Sequence, residues 1–345
     1  MSFEHVKPNV EVIEQGLNVP WSICFIEEDY FLFTERPGNL CLKESGKMRR
    51  ILSLNVEARK GDEGGLLGTT ISPTFKKDDL IYLYYTYRND GVWNRVSSFE
   101  FRNGDPSNEE IVLDKIPGGR VHNGGRIRFG PDQKLYVTTG ETWKSHLAQD
   151  LNSLGGKILR LNQDGTVPDD NPFKNSFVYS YGNRNAQGIT WHPKSRCLYA
   201  SEHGPSGENG WYAHDEVNLI TPGGNYGWPK VIGYSDEPDL ISPIYQTGDD
   251  TWAPSGASFC SGRVYPEWRN ALLVACLRGR SLKAIHLNED GESIMQIESY
   301  YNGVLGRLRD VVESPGGFLY ICTSNKDGRG SPRKGDDYIL KITPE

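Results

Sequence analysis

Between Tyr181 and Trp228 the chain reads YGNRNAQGITWHP, LYASEHGP and HDEVNLITPGGNYGW. Here Arg184, Asn185, Gln187, Glu202, His203, Asp215 and Glu216 crowd between glycines and short apolar runs. Glycine and asparagine also fill ordinary turns, so the rest of the chain must decide whether this is a site. Outside the segment, similar groups recur singly as Glu63, His122, Thr251, Arg278, Arg307 and Arg309. An imidazole titrating near neutrality is the usual general base, although isolated histidines are often structural. Guanidinium forks match carboxylates or phosphates two bonds at a time. Together these types suit proton removal beside a ligand that carries several anionic groups. Asp215 and Glu216, followed by GGNYGW, offer carboxylates plus turn carbonyls, an oxygen set that suits calcium. The Gly204-Pro205 turn offers two more carbonyls; a solvated acidic turn would look the same in sequence.

The elements that position these groups read as strands. Apolar runs last four to six residues before a turn signal, aromatic residues and glycine are plentiful, and no segment keeps a helical period. One phrase, an apolar run, a Pro- or Gly-marked turn and a second run rich in Leu and Tyr, occurs six times. Its copies are PWSICFIEEDYFLFTE from Pro20, GGLLGTTISPTFKKDDLIYLYYTY from Gly64 and GGRIRFGPDQKLYVTTGE from Gly124. The others are QGITWHPKSRCLYASE from Gln187, SGASFCSGRVYPEWRNALLVACL from Ser255 and GRLRDVVESPGGFLYICTS from Gly306. Starts lie roughly 45 to 70 residues apart, the range of propeller blades. Further strand pairs follow most copies, as in KILRLNQDG from Lys157 and LKAIHLNEDG from Leu282. The spacing predicts an all-β, six-bladed β-propeller with four-stranded antiparallel blades, one domain over 1–345. VEVIEQGL from Val10 and DYILKI from Asp337 are expected to pair and close the ring.

Within this repeat the unusual polar residues share a register. Glu63, His122, Arg184 with Asn185, Thr251, and Arg307 with Arg309 all fall at or just before the first strand of successive copies. The first strand of a propeller blade is innermost, so these side chains should ring one mouth of the central channel. Arg278, after the fifth copy's second run, adds a fourth guanidinium. His122 is the only histidine in the register; His192 in WHP and His286 in AIHLN read as structural.

Composition narrows the partners. A formal net charge of -7 argues against nucleic acid or an anionic membrane as the main partner. No run approaches the roughly 18 apolar residues of a membrane span. The start MSFEHVKPNVEV lacks the basic and apolar regions of a signal peptide. A soluble chain is expected, with its compartment open. The six cysteines show no C-x-x-C spacing and read as small core residues.

With these residues placed, the chain resembles the soluble pyrroloquinoline quinone (PQQ) dependent aldose dehydrogenases, the glucose and sorbosone dehydrogenase family. The resemblance runs from about Leu17 to Ile342 and rests on PWSICF with TERPG, GGLLG with SPTF, HNGGRIRFGPDQKLYVTTGE, YGNRNAQGI, SEHGP, DEVNLITPGGNYGWP, APSG and GRLRDV. It implies a six-bladed propeller with PQQ over the channel mouth. His122 would be the base that takes the proton of the sugar's anomeric hydroxyl while the hydride passes to the quinone. It further implies that Glu63, Arg184, Asn185, Thr251, Arg278, Arg307 and Arg309 hold the cofactor, whose three carboxylates account for the arginines. Gly204 and Pro205 would bind an active-site calcium, and Glu216 and Tyr226 a second, structural one. The implied partners are an aldose and an external electron acceptor.

Some positions depart from the family pattern. Glu63 stands where glutamine is common, Arg278 where lysine is frequent, and Val121 where the glucose-specific enzyme is acidic; residues 206–214 make a longer loop than the shortest members have. The sugar preference is therefore open. The long loops of the dimeric glucose enzyme are not evident, so a monomer is expected. On residue types alone, a calcium-dependent propeller hydrolase of the lactonase kind and a non-catalytic glycan- or protein-binding propeller remain alternatives. The hydrolase has no need of four arginines, and the binding module has no need of a base.

Overall fold

The strand Tyr30–Glu35 shows why the chain's apolar runs are continuous. Phe31 and Phe33 pack with Val312, Tyr320 and Ile339 on one side, while Leu32 between them packs with Leu66, Ile81 and Leu83 on the other. Successive side chains of a strand face opposite ways, and here each face meets another sheet. The computed structural model describes residues 7–344. The opening MSFEHV, part of the stretch read as unlike a signal peptide, and Glu345 lie outside the described residues.

Six four-stranded antiparallel sheets form. Their innermost strands are Pro20–Glu27, Leu66–Ile71, Ile127–Phe129, Ala186–Trp191, Pro254–Phe259 and Leu308–Glu313, which are the six first strands read from the repeat. Each touches its two neighbours in turn, and the sixth touches the first, so the sheets close into a six-bladed propeller. The apolar core is accordingly divided into clusters at the junctions between blades. Val10–Glu14 pairs antiparallel with Ile339–Ile342, with Val10 opposite Ile342 and Val12 opposite Leu340. The expected closing pair thus completes the sixth blade, joining the start of the chain to its end. Among the described residues the one α-helix is Phe75–Asp78, and no helix is long and apolar enough to cross a membrane. All six cysteines are free, and Cys41, Cys260, Cys276 and Cys322 are buried.

Polar groups bridge the inner strands along the channel. Arg126, beside the third inner strand, donates Nη1 to Asp310 Oδ2 of the sixth at 3.0 Å and to Ser22 Oγ of the first at 3.1 Å. Its Nε reaches the Gln187 carbonyl of the fourth at 3.0 Å, and its guanidinium lies 4.2 Å from the Trp21 ring centroid. Arg126 and Asp310 are buried. Removing either partner would strand a charge inside the ring.

Candidate active site

The residues read as one register sit at or just before the starts of the inner strands, and several meet at one cavity of about 640 Å³. Arg307 precedes the sixth inner strand and Arg309 is its second residue, at an irregularity in the pairing between Leu308 and Asp310. Both line the cavity with Glu63, Thr251 and Arg278. Arg307 Nε donates to Asp327 Oδ2 at 2.8 Å. Arg309 lies 3.8 Å from that same oxygen and gives Nη1 to Gln187 Oε1 at 2.7 Å. One carboxylate therefore serves two guanidiniums. Burial holds Arg309 below the usual arginine range despite Asp327, and its Nε has no partner. Arg36, buried on the same wall, likewise has an unpartnered Nε. This wall is short of negative charge.

His122 adjoins the cavity. Its φ of 54° is left-handed, and Gly140 lets the turn approach, because a Cβ there would lie 1.9 Å from the His122 carbonyl oxygen. Glu63 Oε2 accepts the His122 backbone N–H at 2.9 Å, and Glu63 Oε1 pairs with Arg329 Nη2 at 2.9 Å. Burial alone would raise Glu63, but the Arg329 charge and the His122 backbone N–H outweigh it and hold the carboxyl below its usual range. The carboxylate is ionised and already engaged. His122 Nδ1 bonds to the buried Glu141 carboxylate. Trp143 Nε1, which can only donate, lies 3.2 Å from His122 Nε2. The arrangement therefore places the proton on Nδ1 and the lone pair on Nε2, the state of a base poised to accept. Trp143 is 66% exposed, so its indole can leave that nitrogen with little loss of packing.

Arg184 and Asn185 take different positions. Asn185 is buried and receives the Gly124 N–H on Oδ1 at 3.0 Å, bracing the turn after His122; its Nδ2 has no partner. Arg184 gives its fork to Glu208, with Nε at 2.9 Å from Oε1 and Nη2 on the same oxygen. Glu208 comes from the long loop 206–214. Its carboxylate also lies within 4.8 Å of a ring nitrogen of His122. A chain carboxylate thus occupies the guanidinium read as a cofactor contact.

The Gly204-Pro205 turn lines the main cavity and also a void of about 20 Å³ behind it. Gly204 admits no side chain, since a Cβ would lie 1.8 Å from the Ala213 carbonyl oxygen. Glu216 and Tyr226 line the small void with Glu202, the cross-strand partner of Glu216. Burial raises both carboxyls, and the neighbouring Glu202 raises Glu216 further, up to about 8. A buried and a half-buried acid on a void the size of one ion suit a cation. The Tyr226 hydroxyl donates to the Leu219 carbonyl at 2.6 Å and accepts the Thr221 N–H at 2.9 Å, so its backbone carbonyl is the freer oxygen ligand. Asp215, read as a calcium-type acid, instead accepts backbone N–H groups from Gly204, Trp252 and Ala253 at 2.6 to 2.9 Å and ties the turn to the fifth blade.

Sequence reasoning missed Arg36, Asp327, Arg329, Glu141 and Glu208 as neighbours of the site. They stand after strands or in long loops, outside the register that marks the others. His203 was noted only as part of the polar segment. It is a half-buried residue on the cavity wall whose ring is pushed down to about 3 by desolvation, and its buried Nε2 has no partner.

A family model described as Glucose / Sorbosone dehydrogenase matches residues 17–335. The chain belongs to that family. Aldose sugar dehydrogenase YliI of Escherichia coli strain K12 is 30% identical over 363 residues, which cover 97% of this chain and 93% of the relative. Among solved structures, a Thermus thermophilus protein described as a putative oxidoreductase (glucose dehydrogenase) matches at 43% identity and a TM-score of 0.90, covering 96% of this chain and 99% of that one. The PQQ-bound aldose sugar dehydrogenase of Streptomyces coelicolor matches at 36% identity and a TM-score of 0.86, covering 96% and 97%. The family resemblance drawn from the motifs and the propeller drawn from the repeat are both borne out.

Proposed function

We propose that this family member oxidises aldose sugars at the anomeric carbon to the lactone, using PQQ with calcium. The observation that carries the reading is the buried His122–Glu141 pair set beside a cavity whose arginines outnumber their carboxylates. The unpartnered Nε of Arg309, in a wall where Asp327 is shared, fits a ligand with carboxylates. Arg278, Arg307 and Arg309 would hold that ligand, joined by Arg184 once the ligand displaces Glu208 from it, with Thr251 beside them and Asn185 bracing the base. Bound PQQ would supply a hydride acceptor, and calcium held by the Gly204 and Pro205 carbonyls would supply a Lewis acid beside it.

The chain's own residues do the rest. His122 Nε2 takes the proton of the anomeric hydroxyl as the hydride leaves the same carbon. Glu141 keeps the ring in the Nδ1–H tautomer and stabilises the imidazolium that results. Trp143 donates to Nε2 until a sugar hydroxyl replaces its indole N–H. Glu63 anchors the His122 backbone, so its charge acts on the base's position. A second cation would neutralise Glu202 and Glu216 with the Tyr226 carbonyl, stiffening the strands behind the Gly204-Pro205 turn.

The test is an absorbance titration of the purified protein with PQQ and calcium, followed by aldose and an artificial acceptor. Saturable binding and aldose-dependent acceptor reduction are expected. Failure to bind PQQ in the presence of calcium, or bound PQQ that no aldose reduces, rejects the proposal.

A further inference from the structure

The formal charge is -7, yet one side of the channel mouth is basic. A second concavity of about 350 Å³ opens there, shares Arg278, Arg307 and Arg329 with the main cavity, and adds Arg280 and Arg333. Arg278 and Arg280 lie in the turn between Leu272–Cys276 and Ser281–Leu287 of the fifth blade, and Arg329 and Arg333 lie between Leu319–Thr323 and Ile339–Ile342 of the sixth. Arg307 is paired with Asp327 and Arg329 with Glu63. Arg278, Arg280 and Arg333 have no carboxylate partner among the described residues. Arg333 is held in place by the Val304 carbonyl, 2.8 Å from its Nη1, a contact that orients the guanidinium without neutralising it. Asp336, the nearby acid, receives the Arg333 backbone N–H and the Asn325 side-chain amide instead. Like charges gathered in a concave surface repel one another and concentrate anions.

The position of this shelf bears on its use. Arg278, Arg307 and Arg329 line both the shelf and the main cavity, so a molecule on the shelf adjoins the contents of the cavity.

We propose that this arginine shelf docks an anionic electron acceptor, an inference that rests on the dehydrogenase reading above. Oxidising an aldose to its lactone removes two electrons and two protons. Two one-electron acceptors bound in turn on the shelf each gain one electron, and both protons pass to solvent. The shelf draws the oxidised anion in by its charge.

The test uses the PQQ- and calcium-loaded protein and the double variant Arg280→Glu/Arg333→Glu, which changes neither the base nor the proposed cofactor contacts. Ferricyanide and hexaammineruthenium(III) serve as acceptors of opposite charge, and each is compared with itself across variants so that their different potentials cancel. The expected result is a loss of about tenfold or more in kcat/KM for ferricyanide at low ionic strength, shrinking as salt is added. Hexaammineruthenium(III) should be reduced as fast as before or faster, with the sugar KM unchanged. Calorimetry with ferrocyanide on the loaded protein should show a binding event that the variant lacks. An unchanged ferricyanide rate, or an equal fall for both acceptors, overturns the proposal. Arg280→Glu alone, at an exposed side chain, repeats the test if the double variant does not fold. If no aldose reduces either acceptor, the dehydrogenase reading fails and the acceptor role with it. If aldose oxidation proceeds but ferrocyanide does not bind, the shelf alone is refuted.

Discussion

Glu208 tests the proposed cofactor site most directly, because it occupies a guanidinium that a cofactor carboxylate would need. Its side chain is 21% exposed and that of Arg184 3%, and the Arg184 charge and hydrogen bonds hold its carboxyl below the usual range although burial opposes them. Exposed ion pairs contribute about 0 to 1 kcal/mol, and hydrogen bonds to charged groups about 1.5 to 3 kcal/mol. A pair with one buried and one partly wet end falls between, at about 1 to 2 kcal/mol. An incoming carboxylate must displace that interaction. Glu208→Gln leaves a neutral amide of the same shape, so PQQ should bind about 5- to 30-fold more tightly, the factor that corresponds to this energy. The assay is a PQQ titration at saturating calcium, followed by absorbance or fluorescence quenching, on the wild type and the variant. Unchanged affinity would mean that Glu208 and the cofactor do not compete for Arg184. Weaker affinity would mean that Glu208 supports the bound state, and either result refutes the reasoning.

Three further outcomes are expected. His122→Gln should lower saturated turnover by about 10²-fold or more with PQQ affinity nearly unchanged; full turnover would reject it as the base. Calcium should raise the melting temperature and chelation lower it, because an ion bound only by the folded state stabilises it by mass action; in Glu202→Gln this response should shrink, and an identical response in both proteins counts against the paired-acid site. Burial, reinforced by Asp336, pushes Asp337 up to about 6, so the folded state binds more protons than the unfolded state between about pH 4 and pH 6. Stability from this group is therefore full below that window and falls as pH rises through it, by about 2 to 3 kcal/mol. Denaturant midpoints of Asp337→Asn should lack that slope, and an equal slope in both proteins refutes the assignment.

The sequence by itself determined the architecture and the shared register. Two-sided burial makes apolar runs continuous, turn residues punctuate them, and repetition at blade spacing leaves a propeller as the solution that pairs the strand edges. The end strands could be matched for the same reason, since a ring with one open junction would expose edges that Val10–Glu14 and Ile339–Ile342 can cover. Because every inner strand starts at the same mouth, position within the repeat was enough to gather Glu63, Thr251, Arg307 and Arg309. Tertiary structure alone decided how those groups are engaged. Glu141 reaches His122 from the next strand's end, Asp327 is shared by two arginines from a loop between strands, and Glu208 folds back from an irregular segment onto Arg184. No periodicity marks such contacts. They depend on where loops land once the blades have packed, and on which carboxylate reaches a buried charge first, quantities set by three-dimensional distance and desolvation.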